Sequence, residues 1–166
     1  ILGLKYNLSF SEIQQGLYQT EFSSNRMDFI ELKQGVRIIN DSYNANPLAV
    51  KAALDVLMAH QSERKIAVLA SMLELGAQSQ AKHREIGFYA AEQGLDLLVT
   101  IGPEGREIAA GAETEMNAKK IISFDNNKEC IEFLRSEIKD GDLILIKGSR
   151  ANHLEEIAAA LKTEEL

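Results

Sequence analysis

Cysteine occurs once in this chain of 166 residues, tryptophan not at all, and aromatic residues make up only 6%. The lone Cys130 excludes an intrachain disulfide framework and any zinc site built on cysteines. Positive charge is also scarce: 18 Lys and Arg face 25 Asp and Glu, giving a net charge of −7 and a pI near 5.0. Sequence-independent nucleic-acid binding needs clustered cations that release counterions, and adhesion to anionic membranes needs the same surplus. The acidic balance argues against both partners. No apolar run approaches the ~20 residues of a membrane span, and the start lacks a signal-peptide pattern, so the cytoplasm is the expected compartment. His60, His83 and His153 stand far apart without an H-x-x-x-H pair, and no metal site is expected. Neither a G-x-S-x-G elbow nor a G-x-x-x-x-G-K-[ST] phosphate loop occurs, and internal repeats and low-complexity segments are absent.

What remains is 45% apolar and 26% charged, the composition of one soluble globular domain. A chain of this length buries about two-thirds of its unfolded surface, enough for a core without staples. It opens at Ile1 with no initiator Met, in what reads as a helix, as a piece of a larger protein would.

The apolar period switches repeatedly between strand and helix. Ser9 with Glu12 forms a capping-box pattern, and Ile13 and Leu17 recur at helical spacing, predicting a short helix over 10–18. A polar stretch over 20–25 contains Ser23-Ser24-Asn25, a candidate hinge. Segments 27–32 and 36–40 flank Lys33-Gln34-Gly35 and predict a hairpin. Asn46 and Pro47 suit the cap and first turn of a helix whose apolar stripe is Val50, Ala53, Leu54 and Leu57.

Strands follow at 65–70, 95–101, 121–124 and 143–146, alternating with helices over 80–94, from about 103, over 128–138 and over 151–161. The 80–94 helix turns Ile86, Tyr89 and Ala90 inward and ends near Gly94; the 128–138 helix carries Ile131, Phe133 and Leu134. Short apolar strands between helices predict a Rossmann-like, mainly parallel α/β sheet with helices on both faces, plus an N-terminal hairpin or antiparallel edge strand. Glu155, Glu156, Glu164 and Glu165 read as solvated surface charge.

Ligands of such sheets bind beyond the carboxyl ends of the strands, which singles out four loops. Asn40-Asp41-Ser42-Tyr43-Asn44-Ala45-Asn46-Pro47 can hold a polar or anionic ligand, or Asp41 and Asn46 can simply end a strand and cap a helix. Ser71-Met72-Leu73-Glu74-Leu75-Gly76 is unusually apolar and reads as a pocket wall or a turn over the core. Thr100-Ile101-Gly102-Pro103 either approaches a ligand or only starts a helix. Lys147-Gly148-Ser149-Arg150 places two cations at an expected helix N-terminus, which calls for a compensating carboxylate or phosphate. His83 reads as a surface or supporting residue, and Cys130 as core.

Together the strings Asn25-Arg26-Met27, Asp41 to Pro47, Val68 to Gly76 with His83-Arg84-Glu85, and Ile146 to Ala151 resemble the Mur ligases across essentially the whole chain. The Asp-Ser-Tyr-Asn-Ala-Asn-Pro and Lys-Gly-Ser-Arg strings are similar to those of members that add D-alanyl-D-alanine to UDP-N-acetylmuramoyl-tripeptide in peptidoglycan synthesis. The resemblance covers only the C-terminal third of such an enzyme. It implies that residues 1–22 are the tail of a central ATPase domain with its hinge, and 23–166 the acceptor-binding C-terminal domain. It also implies ATP and Mg2+ in the full-length protein, no tight ligand of the fragment alone, and no complete set of catalytic residues here.

By the same resemblance Arg26, Asp41, Asn44 and Asn46 serve the ATP side, Asp41 at the ribose. Tyr43, Ser71, Glu74, Lys147, Ser149 and Arg150 serve the acceptor dipeptide, Arg150 or Lys147 facing its carboxylate. The family usually has Gly-Asp where this chain has Ala70-Ser71, and Gly where it has Asn25; Glu74 is the nearest replacement carboxylate. Two other readings stand beside this one. The equivalent domain of another Mur or folylpolyglutamate-type ligase is disfavoured by Asn44-Ala45-Asn46, where relatives often carry His. A stand-alone α/β binding module is distinguished by whether the reading frame continues upstream into a Gly-Lys-Thr/Ser loop.

Overall fold

Residue alternation along the central strands decides the architecture. The computed structural model describes residues 5–6, 8–18 and 24–163, without the side chain of Leu17. Helix α1 (Phe10–Tyr18) precedes the sheet, and its capping box forms: Ser9 N and Oγ both donate to Glu12 Oε2 at 2.7 Å. Among the described residues six strands follow, β1 (Asp28–Glu31), β2 (Arg37–Asp41), β3 (Arg64–Leu69), β4 (Leu97–Ile101), β5 (Ile121–Phe124) and β6 (Asp142–Lys147). They make one sheet in the order β1-β2-β6-β3-β4-β5, with β1 antiparallel to β2 and the other neighbours parallel. The helices between them are α2 (Pro47–Ala59), α3 (Ser79–Glu92), α4 (Gly102–Ala112) and α5 (Asn127–Glu137), with α6 (Glu155–Lys162) after β6.

Both sheet faces are covered. Ala67 and Leu69 of β3 and Leu143 and Leu145 of β6 pack with Leu54, Ile86 and Ile108, on the face of α2, α3 and α4. The alternate residues Ile66, Val68, Ile144 and Ile146 pack with Cys130, Leu134, Ile157 and Leu161, on the face of α5 and α6. Each fully buried Leu or Ile contributes roughly 1.5–3 kcal/mol of transfer free energy. Helices α3 and α4 approach closely because two glycines meet backbone: a Cβ on Gly87 would lie 1.8 Å from Ile108 O, and one on Gly111 2.1 Å from Arg84 O.

The expected hairpin, the mainly parallel sheet and the Asn46 cap are all present, Asn46 Oδ1 accepting from Ala49 N at 2.9 Å. Tyr89 is only half-buried, since its hydroxyl reaches out to Asp55. One helix begins later than expected. Residues 150–152 form a 3-10 turn, His153 then takes a left-handed conformation (φ 50°), and α6 starts at Glu155. The anticipated cations at a helix N-terminus are therefore absent from α6, whose first turn carries Glu155 and Glu156 in accord with the helix dipole. The expected helical opening at Ile1, the boundary between 22 and 23, and Glu164 and Glu165 lie outside the described residues.

Strand β6 is inserted between β2 and β3 although it comes last in the sequence. The chain leaves β2 and β3 toward one face of the sheet and leaves β6 toward the other. Such divergence opens a crevice at the carboxyl edge.

Candidate functional site

Three loops build the walls of that crevice, residues 41–46 after β2, 70–78 after β3 and 148–154 after β6. The last two are knotted together. Ser149 N donates to Ser71 O (2.9 Å), Ser71 Oγ to Asn152 Oδ1 (2.7 Å), and Leu73 N to Ser149 Oγ (2.9 Å). Asn152 Nδ2 closes the knot by donating to Ser71 O (3.1 Å) and Ser149 O (2.8 Å). Gly148 permits this approach, because a Cβ there would lie 2.7 Å from Leu154 Cδ1 and 3.1 Å from Ala70 Cβ. Ser71 and Ser149 are consequently buried, and their hydroxyls hold loops together.

Of the two sequence readings of His83, surface or supporting, the structure takes the second: it is fully buried, in α3 beneath the β3 loop. Met72 N donates to its Nε2 at 2.8 Å, and its Nδ1 lies 2.7 Å from Ser79 O. An acceptor at Nε2 and a carbonyl at Nδ1 require the neutral ring protonated on Nδ1. The ring thus pins Met72, itself buried, under the exposed Leu73 and the left-handed Glu74 (φ 64°).

Lys147 is 2% exposed, and its ammonium reaches Asp41 Oδ2 (2.5 Å), Asn44 O (2.9 Å) and Asp41 O (3.4 Å). Its three donors are all engaged. Asp41 Oδ1 in turn accepts from Met27 N at 3.3 Å. Asn44 Oδ1 accepts from Ala45 N (2.8 Å), so Asn44 and Asn46 both shape the loop with their side chains. Arg26 lies between two left-handed residues, Asn25 (φ 63°) and Met27 (φ 53°). That turn is held by Asn40 Nδ2 donating to Asn25 Oδ1 (2.9 Å) and Tyr43 N donating to Asn25 O (2.9 Å). The Arg26 guanidinium sits 4.2 Å from the centre of the Tyr43 ring, with that of Arg150 at 5.6 Å.

The crevice encloses a cavity of about 620 Å³ lined by Asn44, Asn46, Leu73, Glu74, Ser149 and Arg150 among others. Of the residues singled out from sequence, Asn44, Asn46, Glu74, Ser149 and Arg150 converge there, while Asp41, Ser71 and Lys147 brace the loops from behind. Arg26 and Tyr43 flank the group through Arg150. The arrangement offers the Arg150 guanidinium to an anion, with Leu73 and Leu75 as apolar wall. Sequence reasoning missed Asn152 and undervalued His83. The 100–103 segment takes the second of its two readings: Thr100 and Ile101 end β4, with Thr100 fully buried and its Oγ1 2.8 Å from Ser123 Oγ, and α4 starts at Gly102. Cys130 lies in the core, where burial pushes its thiol up to about 12. Among the described residues no group of three His, Cys, Asp or Glu gathers to hold a metal ion, and no helix is long and apolar enough to cross a membrane.

The fold is thus an α/β domain with a crevice at the carboxyl edge of a mainly parallel sheet. The sequence profile of "Mur ligase, glutamate ligase domain" matches residues 25–150, the stretch that carries the 41–46 and 70–78 loops and the start of the 148–154 loop. The chain belongs to the Mur ligase family. It is 31% identical over 160 residues to UDP-N-acetylmuramoyl-tripeptide–D-alanyl-D-alanine ligase of Bacillus subtilis, covering 96% of this chain and 35% of that protein. A crystal structure of MurF from Acinetobacter baumannii superposes with a TM-score of 0.87 at 30% identity, over 98% of this chain and 35% of that one. The MurF ligase of Thermotoga maritima in complex with ADP gives a TM-score of 0.78 at 27% identity, over 98% and 36%. The chain therefore spans about a third of the length of the relatives it matches.

Proposed function

We propose that this chain is the C-terminal, acceptor-binding domain of an ATP-dependent amide ligase that adds D-alanyl-D-alanine to UDP-N-acetylmuramoyl-tripeptide in cytoplasmic peptidoglycan synthesis. Residues 1–22 form the tail of the preceding ATPase domain and its hinge, and 23–166 the domain proper. In the reaction the terminal carboxylate of the tripeptide takes the γ-phosphoryl group of ATP, releasing ADP. The dipeptide amine then attacks the acyl phosphate, the amide bond forms, and phosphate leaves as the amine gives up its proton.

One observation carries the reading: Arg150, its side chain 57% exposed, lines a cavity whose walls come from all three motif loops. A guanidinium there can grip the dipeptide carboxylate in two-pronged fashion. Lys147, already saturated by Asp41 and Asn44, supports the loop that presents it. On the nucleotide side, Arg26 provides a cation for the phosphates. Asp41 Oδ1, held by one 3.3 Å bond, is the oxygen open to a ribose hydroxyl. Mg2+ would accompany the ATP, but the described residues do not fit a metal site, and its ligands would lie outside this chain.

The test is ATP turnover by the full-length protein with and without D-alanyl-D-alanine. Dipeptide-dependent turnover is expected, and Arg150→Ala should raise the dipeptide KM roughly 10- to 100-fold, the cost of a charged hydrogen-bonded contact. The ATP KM should stay within about twofold, since that arginine faces the acceptor. Turnover indifferent to the dipeptide, or an unchanged dipeptide KM in the variant, would overturn the assignment. The isolated domain should bind ATP and dipeptide weakly, because both sites are completed by the rest of the ligase on closure.

A further inference from the structure

Arg26 and Arg150 belong to segments 124 positions apart by their numbers, yet both guanidiniums converge on one aromatic ring, at 4.2 and 5.6 Å from its centre. We propose that Tyr43 is a positioning residue that couples the nucleotide half of the site to the acceptor half. The proposal rests on the functional reading above, which gives Arg26 to ATP and Arg150 to the dipeptide.

The physical case has three parts. First, a guanidinium is drawn to the negative face of an aromatic ring, so the Tyr43 ring fixes where each arginine waits before its ligand arrives. Second, two like charges sharing one ring repel each other. An anion that neutralises Arg26 relieves that repulsion and leaves the ring to Arg150, so nucleotide binding favours the dipeptide-ready position. Third, the ring has a rigid seat. Tyr43 N is bonded to Asn25 O at 2.9 Å, and Asn25 is bonded by its side chain to Asn40 on β2. Arg26 is held by the left-handed residues on both sides, so its response to a ligand passes through its side chain and into the ring. No contact of Tyr43 with either ligand is needed for this role.

Coupling between two ligands is reciprocal and measurable as a change in one apparent affinity when the other's contact is altered. In the full-length ligase below saturating ATP, Arg26→Ala should lower the dipeptide KM roughly two- to fivefold, the size of an exposed cation–π contact, because losing that cation frees the ring for Arg150 as a bound nucleotide would. In a Tyr43→Leu background the same substitution should leave the dipeptide KM unchanged. Tyr43→Phe keeps the ring and should restore the wild-type response, which separates ring stacking from a merely structural need for bulk. An Arg26→Ala variant with an unaltered or raised dipeptide KM, or one with the same effect whether or not Tyr43→Leu is present, would overturn the coupling. If instead Arg150→Ala does not move the dipeptide KM, the acceptor assignment itself fails. If Arg150→Ala moves it and Arg26→Ala does not, only the coupling fails. The Arg26→Ala arm stands on its own should Tyr43→Leu not fold.

Discussion

Asp41 and Lys147 are register partners on adjacent parallel strands, and their side chains close an ion pair at the carboxyl edge, Nζ to Oδ2 at 2.5 Å. At the other end of β6, Asp142 is the register partner of Arg64 on β3, whose guanidinium grips it with Nε at 2.9 Å and Nη2 at 2.8 Å. The central strand is thus pinned at both ends, to a different neighbour each time. The lower pair also holds the Arg64 guanidinium more firmly protonated, chiefly through its hydrogen bond to Asp142.

Breaking the upper pair should be costly. Lys147→Met leaves the Asp41 carboxylate, only 15% exposed, without its cation and Asn44 O without its donor. Removing one partner of such a pair typically costs about 3–5 kcal/mol. Denaturant unfolding of the variant should show a loss near 3 kcal/mol, with part recovered by adding Asp41→Asn. A loss below about 1 kcal/mol would mean that water replaces the ammonium freely.

His83→Phe keeps the ring volume but strips Met72 N of its acceptor. An unsatisfied buried amide costs about 1–3 kcal/mol. The effect should be local, so hydrogen exchange should speed up at Met72 and Leu73 while amides of β3 keep their protection. Uniform loss across the sheet would show that His83 supports the whole core rather than the loop.

Gly111→Ala sets two effects against each other. Helix propensity alone favours alanine by about 1 kcal/mol. The new Cβ, however, would sit 2.1 Å from Arg84 O, a backbone atom that cannot swing away. Overpacking of that kind costs about 1–3 kcal/mol or more, so a net destabilisation is expected in a thermal melt. A raised Tm would mean that α3 and α4 separate easily.

Glu85 bonds Lys51 Nζ and Lys82 Nζ at 2.7 and 2.8 Å, and these partners hold its carboxyl at about 2, below the ordinary 4.5. The unfolded chain therefore takes up this proton first as pH falls. Stability from Glu85 is complete above about 4.5 and is lost as pH drops through about 2. Its side chain is 41% exposed, so solvent trims the contribution to under about 1 kcal/mol. The stability gap between wild type and Glu85→Gln should be small at pH 7 and close as pH falls below 4.5; a gap constant down to pH 3 would refute it.

Much of this molecule was legible because its signals are local. Apolar runs located the strands, Asn46-Pro47 announced its own helix start, and four loops were singled out by polarity, charge, glycine or apolar residues in a turn, three of which wall the crevice. The rest depends on contacts distant in sequence. Asn152 meets Ser71 across 81 positions, and Lys147 meets Asp41 across 106. No period or spacing encodes such meetings, so a lysine read as facing a ligand serves instead to brace a loop. The late start of α6 has the same origin, since Asn152 bonds back to Ser71 and Ser149 before the helix can begin. Strand order is equally silent, because an apolar run does not say which neighbours it will choose.

The placement of β6 between β2 and β3 bears on how the domain comes into being. Residues 142–147 are the last strand to leave the ribosome, yet they fill the middle of the sheet. Until they arrive, β2 and β3 each present an unsatisfied edge, and the walls of the crevice lie unjoined. The β1–β2 hairpin and the β3–β4–β5 set can pair as they emerge, but the two halves of the sheet, and with them the walls of the crevice, join only through β6.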